Sequence, residues 1–353
     1  MIKRLIVCFI SCLFLCGCTK KQDVEYIDFA SWGSITEVNI LKKVISDFEK
    51  ENPKVKINFI HIPQNYFQKI HLLFASNTAP DVIFVNNLYL PMYQSKLLDI
   101  TSEFETDIFF PQAIESLSYK NKLLAIPRDI SNLVLYINLD LTNLPSEDWN
   151  IEELLEKSIS STSNSHWGIS FEDDIYWMSP YLSYFGESIY SFPKTLTFYK
   201  NLRDKYKVAP NKSDIGSSTL AQMFLEQKIV MYLSGRWMYP KISECAKFNW
   251  AVVNFPYGEK KQKLDSSGWA ISKDSKHKKT AIKFIKYLSR EDVSKLFAES
   301  GLIIPAQKQV AQILNNEKHN EKAFIKVISH SDKNSVDKNY KKTIDDINRK
   351  VFN

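Results

Sequence analysis

The chain has 353 residues, 44% hydrophobic, 24% charged and 13% aromatic, a composition that excludes disorder over most of its length and supplies core for two domains or lobes. The formal charge of +6, from 46 basic and 40 acidic side chains, is too mild to argue for a nucleic-acid partner, and much of the surplus sits in the lysine-rich stretch 318–350, read as solvated helical faces. Of the five cysteines, Cys8, Cys12, Cys16 and Cys18 fall in the first eighteen residues and only Cys245 lies beyond them, so neither a disulfide framework nor a cysteine metal cluster is expected.

The chain opens with Lys3 and Arg4, an apolar run from Leu5 to Leu15, then Cys16-Gly17-Cys18. A basic start, a short apolar stretch and a small residue before a cysteine have the anatomy of an export signal, and Leu15-Cys16-Gly17-Cys18 resembles a bacterial lipobox. On this reading residues 1–17 form the signal peptide and Cys18 becomes the lipidated N-terminus, carrying acyl chains such as palmitate. Residues 18–23, with Lys20, Lys21, Gln22 and Asp23, form a polar tether. The alternative is an ordinary signal cleaved elsewhere or a short anchor, but the run falls short of the about 20 residues a spanning helix needs. No later segment is long and apolar enough to span, so the expected product is exported and membrane-anchored, facing the periplasm or cell exterior.

After the tether, Tyr26 to Ala30 reads as a strand, and Ser34 followed by Glu37 is a capping-box pattern opening a helix whose buried face is Leu41, Val44, Ile45 and Phe48. Asn52-Pro53 ends it, and Val55 to Ile60 alternates as a second strand. A helix through Tyr66 to Phe74 then leads to Asp81-Val82-Ile83-Phe84-Val85, the apolar strand of a covered parallel sheet. The opening third is therefore α/β, wound like a Rossmann-type sheet. No Gly-x-Gly-x-x-Gly or Walker loop occurs, so neither a dinucleotide nor a nucleoside triphosphate is implied, and no cofactor or metal is expected.

Several blocks, in order, resemble the extracellular solute-binding proteins of ABC importers, in particular the sugar and oligosaccharide group. They are Phe48-Glu49-Lys50-Glu51-Asn52-Pro53 with Val55-Lys56-Ile57; Ala79-Pro80-Asp81-Val82 with Leu97-Leu98-Asp99-Ile100; and Tyr119-Lys120-Asn121-Lys122 leading through Ile126-Pro127-Arg128-Asp129 to Leu135-Tyr136-Ile137-Asn138-Leu139-Asp140-Leu141. Gly235-Arg236-Trp237, Gly268-Trp269-Ala270-Ile271-Ser272 and Gly301 to Pro305 complete the series. The resemblance implies a two-lobed periplasmic-binding-protein-like fold (type II), with hinge-linked α/β lobes closing over a ligand cleft. It implies lobe 1 from 24–130 and 269–308 and lobe 2 from 131–268 and 309–353. Crossings are expected near Ile126 to Asn132, Gly268 to Lys273 and Ile304 to Gln312, and the partners implied are a small solute and ABC permease subunits, with the protein itself a monomer.

The middle segment crowds Tyr176, Trp177, Tyr181, Tyr184, Phe185 and Tyr190, and aromatic faces covering the C–H face of a sugar, with polar groups at its rim, suit a saccharide cleft. Most such rings belong to cores. Trp237 and Trp269 stand out because each lies near glycine in a block matching the family's cleft loops, and Trp32, Asn86 and Asn87 follow strands at the edge where open α/β sheets place ligands. Trp32 and Asn86 are expected to face Trp177 and Trp237 across the cleft. Arg128 and Arg236 either bind ligand, which opens the way to a sugar phosphate or glycerol phosphodiester, or pair with Asp129 or Glu244. Asp81 reads as structural.

For catalysis there is no His-Glu-x-x-His and no Gly-x-Ser-x-Gly elbow, and the run Glu172-Asp173-Asp174 suits a solvated loop or hydroxyl contacts better than a glycosidase pair, since adjacent residues rarely flank both faces of a bond. The chain is therefore read as a non-enzymatic sugar or oligosaccharide receptor, with a sensing or adhesive lipoprotein as the alternative.

Overall fold

The computed structural model describes residues 24–334 and 336–352; the signal, Cys18 and the tether lie outside them. Strand β1 (Glu25–Ser31) pairs in parallel with β2 (Val55–His61) through helix α1 (Ile35–Glu51). The capping box forms as read: the Glu37 N–H donates to Ser34 Oγ at 3.3 Å and the Ser34 N–H to Glu37 Oε2 at 2.9 Å, satisfying two donors the first helical turn leaves open. Helix α2 (Tyr66–Ala75) leads to β3 (Val82–Asn86), parallel to β1 and buried at its first four residues, as a strand covered on both faces requires.

The chain then crosses between sheets. Strand β4 (Ile126–Ser131) belongs to the first sheet and β5 (Val134–Asn138) to the second, with only Asn132 and Leu133 between them. Strands β6 (Trp167–Ile169), β7 (Ile229–Ser234) and β8 (Trp250–Asn254) complete the second sheet in the order β8-β5-β7-β6. Strand β9 (Gln262–Ile271) returns to the first sheet and inserts antiparallel between β3 and β4. Strand β10 (Ile304–Pro305) extends that sheet beyond β4, and β11 (Ser331–Lys333) pairs with the start of β9.

These sheets bear out one expectation and revise two. The parallel winding expected of the opening third holds in β2-β1-β3, but the full sheet is mixed because β9 runs antiparallel to β3 and β4. The return crossing lies between Asn254 and Gln262, upstream of the Gly268 to Lys273 stretch expected for it, since all of β9 pairs within the first sheet. The tail is not confined to one lobe: β11 joins the first sheet before helix α3 (Tyr340–Val351) packs Ile344 into the second lobe's core.

Strand β5 shows how the second sheet is held. Val134 and Tyr136 point into an apolar cluster continuous with the first lobe's core, whereas Leu135 and Ile137 point into a second cluster with Tyr181, Tyr199 and Phe255. Period-two alternation therefore buries both faces and no polar stripe is visible in its sequence.

Candidate functional site

Between the two sheets lies a cleft of about 650 Å³. Its first-lobe wall is built where β1 and β3 end, at Trp32 and Asn86, together with Arg128 to Ser131 on β4 and Asp265 to Ser267 on β9; Tyr176, Arg236 and Trp237 form the facing wall. Ligands of open α/β sheets sit beyond the carboxyl ends of the strands, and this cleft occupies that position.

Arg128 is buried on the first wall. Its Nε donates to Asp129 Oδ2 at 2.5 Å, and its Nη1 lies 3.2 Å from Glu37 Oε1. The guanidinium packs over Phe84 at 4.6 Å and lies 5.5 Å from the Trp269 ring. Burial opposes its charge, but Asp129 and Glu37 outweigh that and hold the pKa above its ordinary value. Asp129 is itself held, its Oδ1 accepting from Ser267 Oγ at 2.6 Å. Glu37 thus does two things: it closes the capping box of α1 and brings a carboxylate to the cleft arginine.

Arg236 is buried on the opposite wall, stacked 3.9 Å from the Tyr239 ring, with Nη1 2.7 Å from Glu321 Oε1. The partner is Glu321 and not the nearby Glu244. That contact lies off the N–H direction, and Nε and Nη1 have no aligned acceptor among the described residues. Trp237 follows on a 3₁₀ turn after β7 and is 37% exposed. A Cβ on Gly235 would come within 1.9 Å of the Trp237 ring, so glycine is what lets the indole fold back over the backbone and present itself to the cleft.

Trp32, 38% exposed, stands over Phe67 and Phe84 at ring distances of 5.3 and 5.7 Å. Tyr176 reaches the cleft, and burial raises its phenol pKa. Trp177 does not line the cleft; it backs it, with its ring 5.7 Å from Tyr176 and 6.3 Å from Trp237.

With Trp177, two more expected contacts are corrected. Trp269 is 0% exposed, on strand β9 between β3 and β4 and packed edge-on against Phe29 and Phe84; strands on both sides and core on its face leave it no path to the cleft. Its glycine serves the backbone instead, since a Cβ on Gly268 would meet the Ile126 carbonyl at 1.9 Å. Asn87 is 1% exposed and ties β3 to β9: its Oδ1 accepts from the Ser266 N–H at 3.1 Å and its Nδ2 donates to Asp265 Oδ1 at 2.9 Å. Tyr181 is also core. Asp81 is structural as read, accepting from the Asp28 N–H at 2.9 Å and Ser275 Oγ at 2.6 Å.

Glu37, Asp265 and Ser267 are cleft residues that sequence reasoning did not pick out. The polar run Asp265-Ser266-Ser267 directly before Gly268 was the available signal for two of them. In the carboxylate run, Asp173 pairs with Arg203 at 3.0 Å and Asp174 caps the turn that carries Tyr176. Glu172 is pushed up to about 7 by burial and by the charges of Asp174 and Asp173. No group of three or more His, Cys, Asp or Glu side chains suited to a metal occurs among the described residues.

Residues 32–295 match the family model described as bacterial extracellular solute-binding protein. The galactooligosaccharide-binding protein of Bacillus subtilis is 22% identical over 321 residues, covering 83% of this chain and 76% of its own. The maltodextrin-binding protein MdxE of the same organism is 25% identical over 310 residues, covering 79% and 73%. Among solved structures, an ABC substrate-binding protein from Listeria monocytogenes in complex with cycloalternan superposes with a TM-score of 0.83 at 24% identity, over 93% of each chain. The GacH receptor of Streptomyces glaucescens superposes with a TM-score of 0.80 at 22% identity, over 94% of this chain and 92% of its own.

Proposed function

The chain belongs to the bacterial extracellular solute-binding proteins, and from that premise we propose that it captures a neutral oligosaccharide between its lobes and delivers it to the permease of an ABC importer. One observation carries the choice of ligand: two half-exposed indoles, Trp32 and Trp237, stand on opposite walls of a cleft whose two arginines already face carboxylates. Indole faces cover the C–H face of a sugar ring, whereas an anionic ligand would have to displace Glu37, Asp129 or Glu321 from a buried guanidinium. The sugar phosphate and phosphodiester readings are disfavoured on that ground. The two relatives named for galactooligosaccharide and maltodextrin point the same way.

In this reading no bond is made or broken. Ligand contacts that span both walls favour the closed arrangement in proportion to their difference between open and closed states, and the closed form is what the permease receives. Acyl chains on Cys18 hold a monomer at the outer face of the membrane; no helix among the described residues is long and apolar enough to cross it.

A thermal-shift titration with maltotriose, galactotriose and glucose 6-phosphate tests the ligand class. A binder at about 100 times its Kd adds roughly 2.7 kcal/mol of stability, so a shift with a neutral sugar is the expected result and a shift with the phosphate alone sinks the neutral reading. Release of a Cys18→Ala variant from the membrane fraction tests the anchor.

A further inference from the structure

Asp265 differs from the other cleft carboxylates in having no cation. Glu37 and Asp129 face Arg128 and Glu321 faces Arg236, but among the described residues no Lys, Arg or His lies within ion-pair distance of Asp265. The groups around it are neutral: Asn87 from the turn after β3, Tyr176 from the second lobe, and Asn334 and Tyr340 from the C-terminal segment. Lys263, two residues earlier on β9, borders the small cavity behind it without pairing, and Asp174 is the further carboxylate facing Tyr176 and Tyr340.

The two oxygens are used unequally. Oδ1 accepts from Asn87 Nδ2 at 2.9 Å and from Asn334 Nδ2 at 3.1 Å, while Oδ2 has no protein donor among the described residues. Asn87 is in turn locked to the Ser266 N–H, and Asn334 lies 3.3 Å from the Tyr340 hydroxyl. The carboxylate is therefore oriented by amides that cannot neutralise it, with one oxygen left without a protein donor on a residue that lines the cleft. A half-buried anion kept without a cation is costly unless something else satisfies it.

We propose that Asp265 sets the charge selectivity of the cleft: its free oxygen accepts a hydroxyl hydrogen of the bound saccharide, and its charge repels saccharides that carry carboxylate or phosphate. This rests on the oligosaccharide reading above. Specificity built from one attractive contact and one repulsive one is a common device, and a hydrogen bond to a charged acceptor is among the stronger kinds.

Asp265→Asn is the informative variant, because its retained Oδ1 still accepts from Asn87 and Asn334 while the free acceptor becomes an amide donor. By calorimetry with maltotriose, galactotriose and trigalacturonate, the variant is expected to bind the neutral ligand about 10- to 100-fold more weakly and to narrow or reverse the preference over trigalacturonate, with a melting temperature at or above that of wild type, since the uncompensated buried charge is removed. The wild-type protein supplies a second readout. Burial raises the Asp265 carboxyl above its ordinary range, so neutral-sugar affinity should fall as pH drops through that raised value, and the fall should be absent in the variant. Wild-type binding with an unaltered variant, in affinity, selectivity and pH profile, overturns this inference and leaves the oligosaccharide reading intact. Failure of the wild-type protein to bind either neutral sugar overturns both.

Discussion

The two walls of the cleft each present a buried arginine stacked on aromatic rings, but they hold it differently. Arg128 faces two carboxylates, one adjacent on β4 and one on the first turn of α1, and the adjacent carboxylate is itself fixed by Ser267. Arg236 faces a single carboxylate, Glu321, from the C-terminal segment; Nη1 lacks an aligned acceptor in both arginines, but Arg128 Nε donates to Asp129 whereas Arg236 Nε has no acceptor among the described residues. The first wall is thus set within one sheet and its first helix. The second depends on the tail returning to it, which makes the tail part of the cleft and not an appendage.

That contrast is open to direct attack. The largest effect is expected from Arg128→Met, which strands the buried Asp129 and the half-buried Glu37 and should cost about 3 to 5 kcal/mol in chemical denaturation. Arg236→Met strands one and should cost less, while pairing it with Glu321→Leu should recover most of the loss. Equal losses at the two arginines would erase the distinction drawn between the walls.

The two tryptophans near glycines sharpen the comparison further. Trp269→Ala, in the core of the first wall, should cost about 3 to 5 kcal/mol of stability. Trp237→Ala should leave the denaturation midpoint within about 0.5 kcal/mol of wild type and instead weaken saccharide binding at least tenfold, read by intrinsic fluorescence titration. A collapse of folding in the second variant would make Trp237 a core residue.

A pH experiment addresses the second lobe alone. Glu172 has its folded pKa raised to about 7 from 4.5, so the folded state binds the proton more tightly than the unfolded chain. The stability it contributes is full below about pH 4.5 and is lost as pH rises through 7. Glu172→Gln should therefore be more stable than wild type near pH 8, by at most about 3 kcal/mol, and equal to it near pH 4.5. A loss of about 1 to 3 kcal/mol is expected from Asn87→Ala, through loss of its bonds to Asp265 and Ser266.

Much of the first lobe was legible because its signals are local. The capping pair Ser34 and Glu37, the apolar stripe of α1 and the covered run 82–85 each need only neighbouring residues to be interpreted, and each formed as read. Trp32 and Asn86 were found by position, since the end of a parallel strand is a cleft edge whatever follows. Trp269 differs from the cleft residue expected because a glycine one or two positions before an indole reads alike in both blocks. In Gly235-Arg236-Trp237 the strand has ended and the ring turns out; in Gly268-Trp269 the strand continues between two neighbours and the ring turns in.

By itself the sequence determined the α/β character, the order of blocks that places the chain in its family, and the residue types from which a saccharide cleft is made. Tertiary structure alone decided which of them meet. Glu321 reaches Arg236, Asn334 and Asn87 converge on Asp265, and β9 wedges between β3 and β4, because strand pairing and ion pairing act between groups that are close in space, and periodicity along the chain carries no record of that distance.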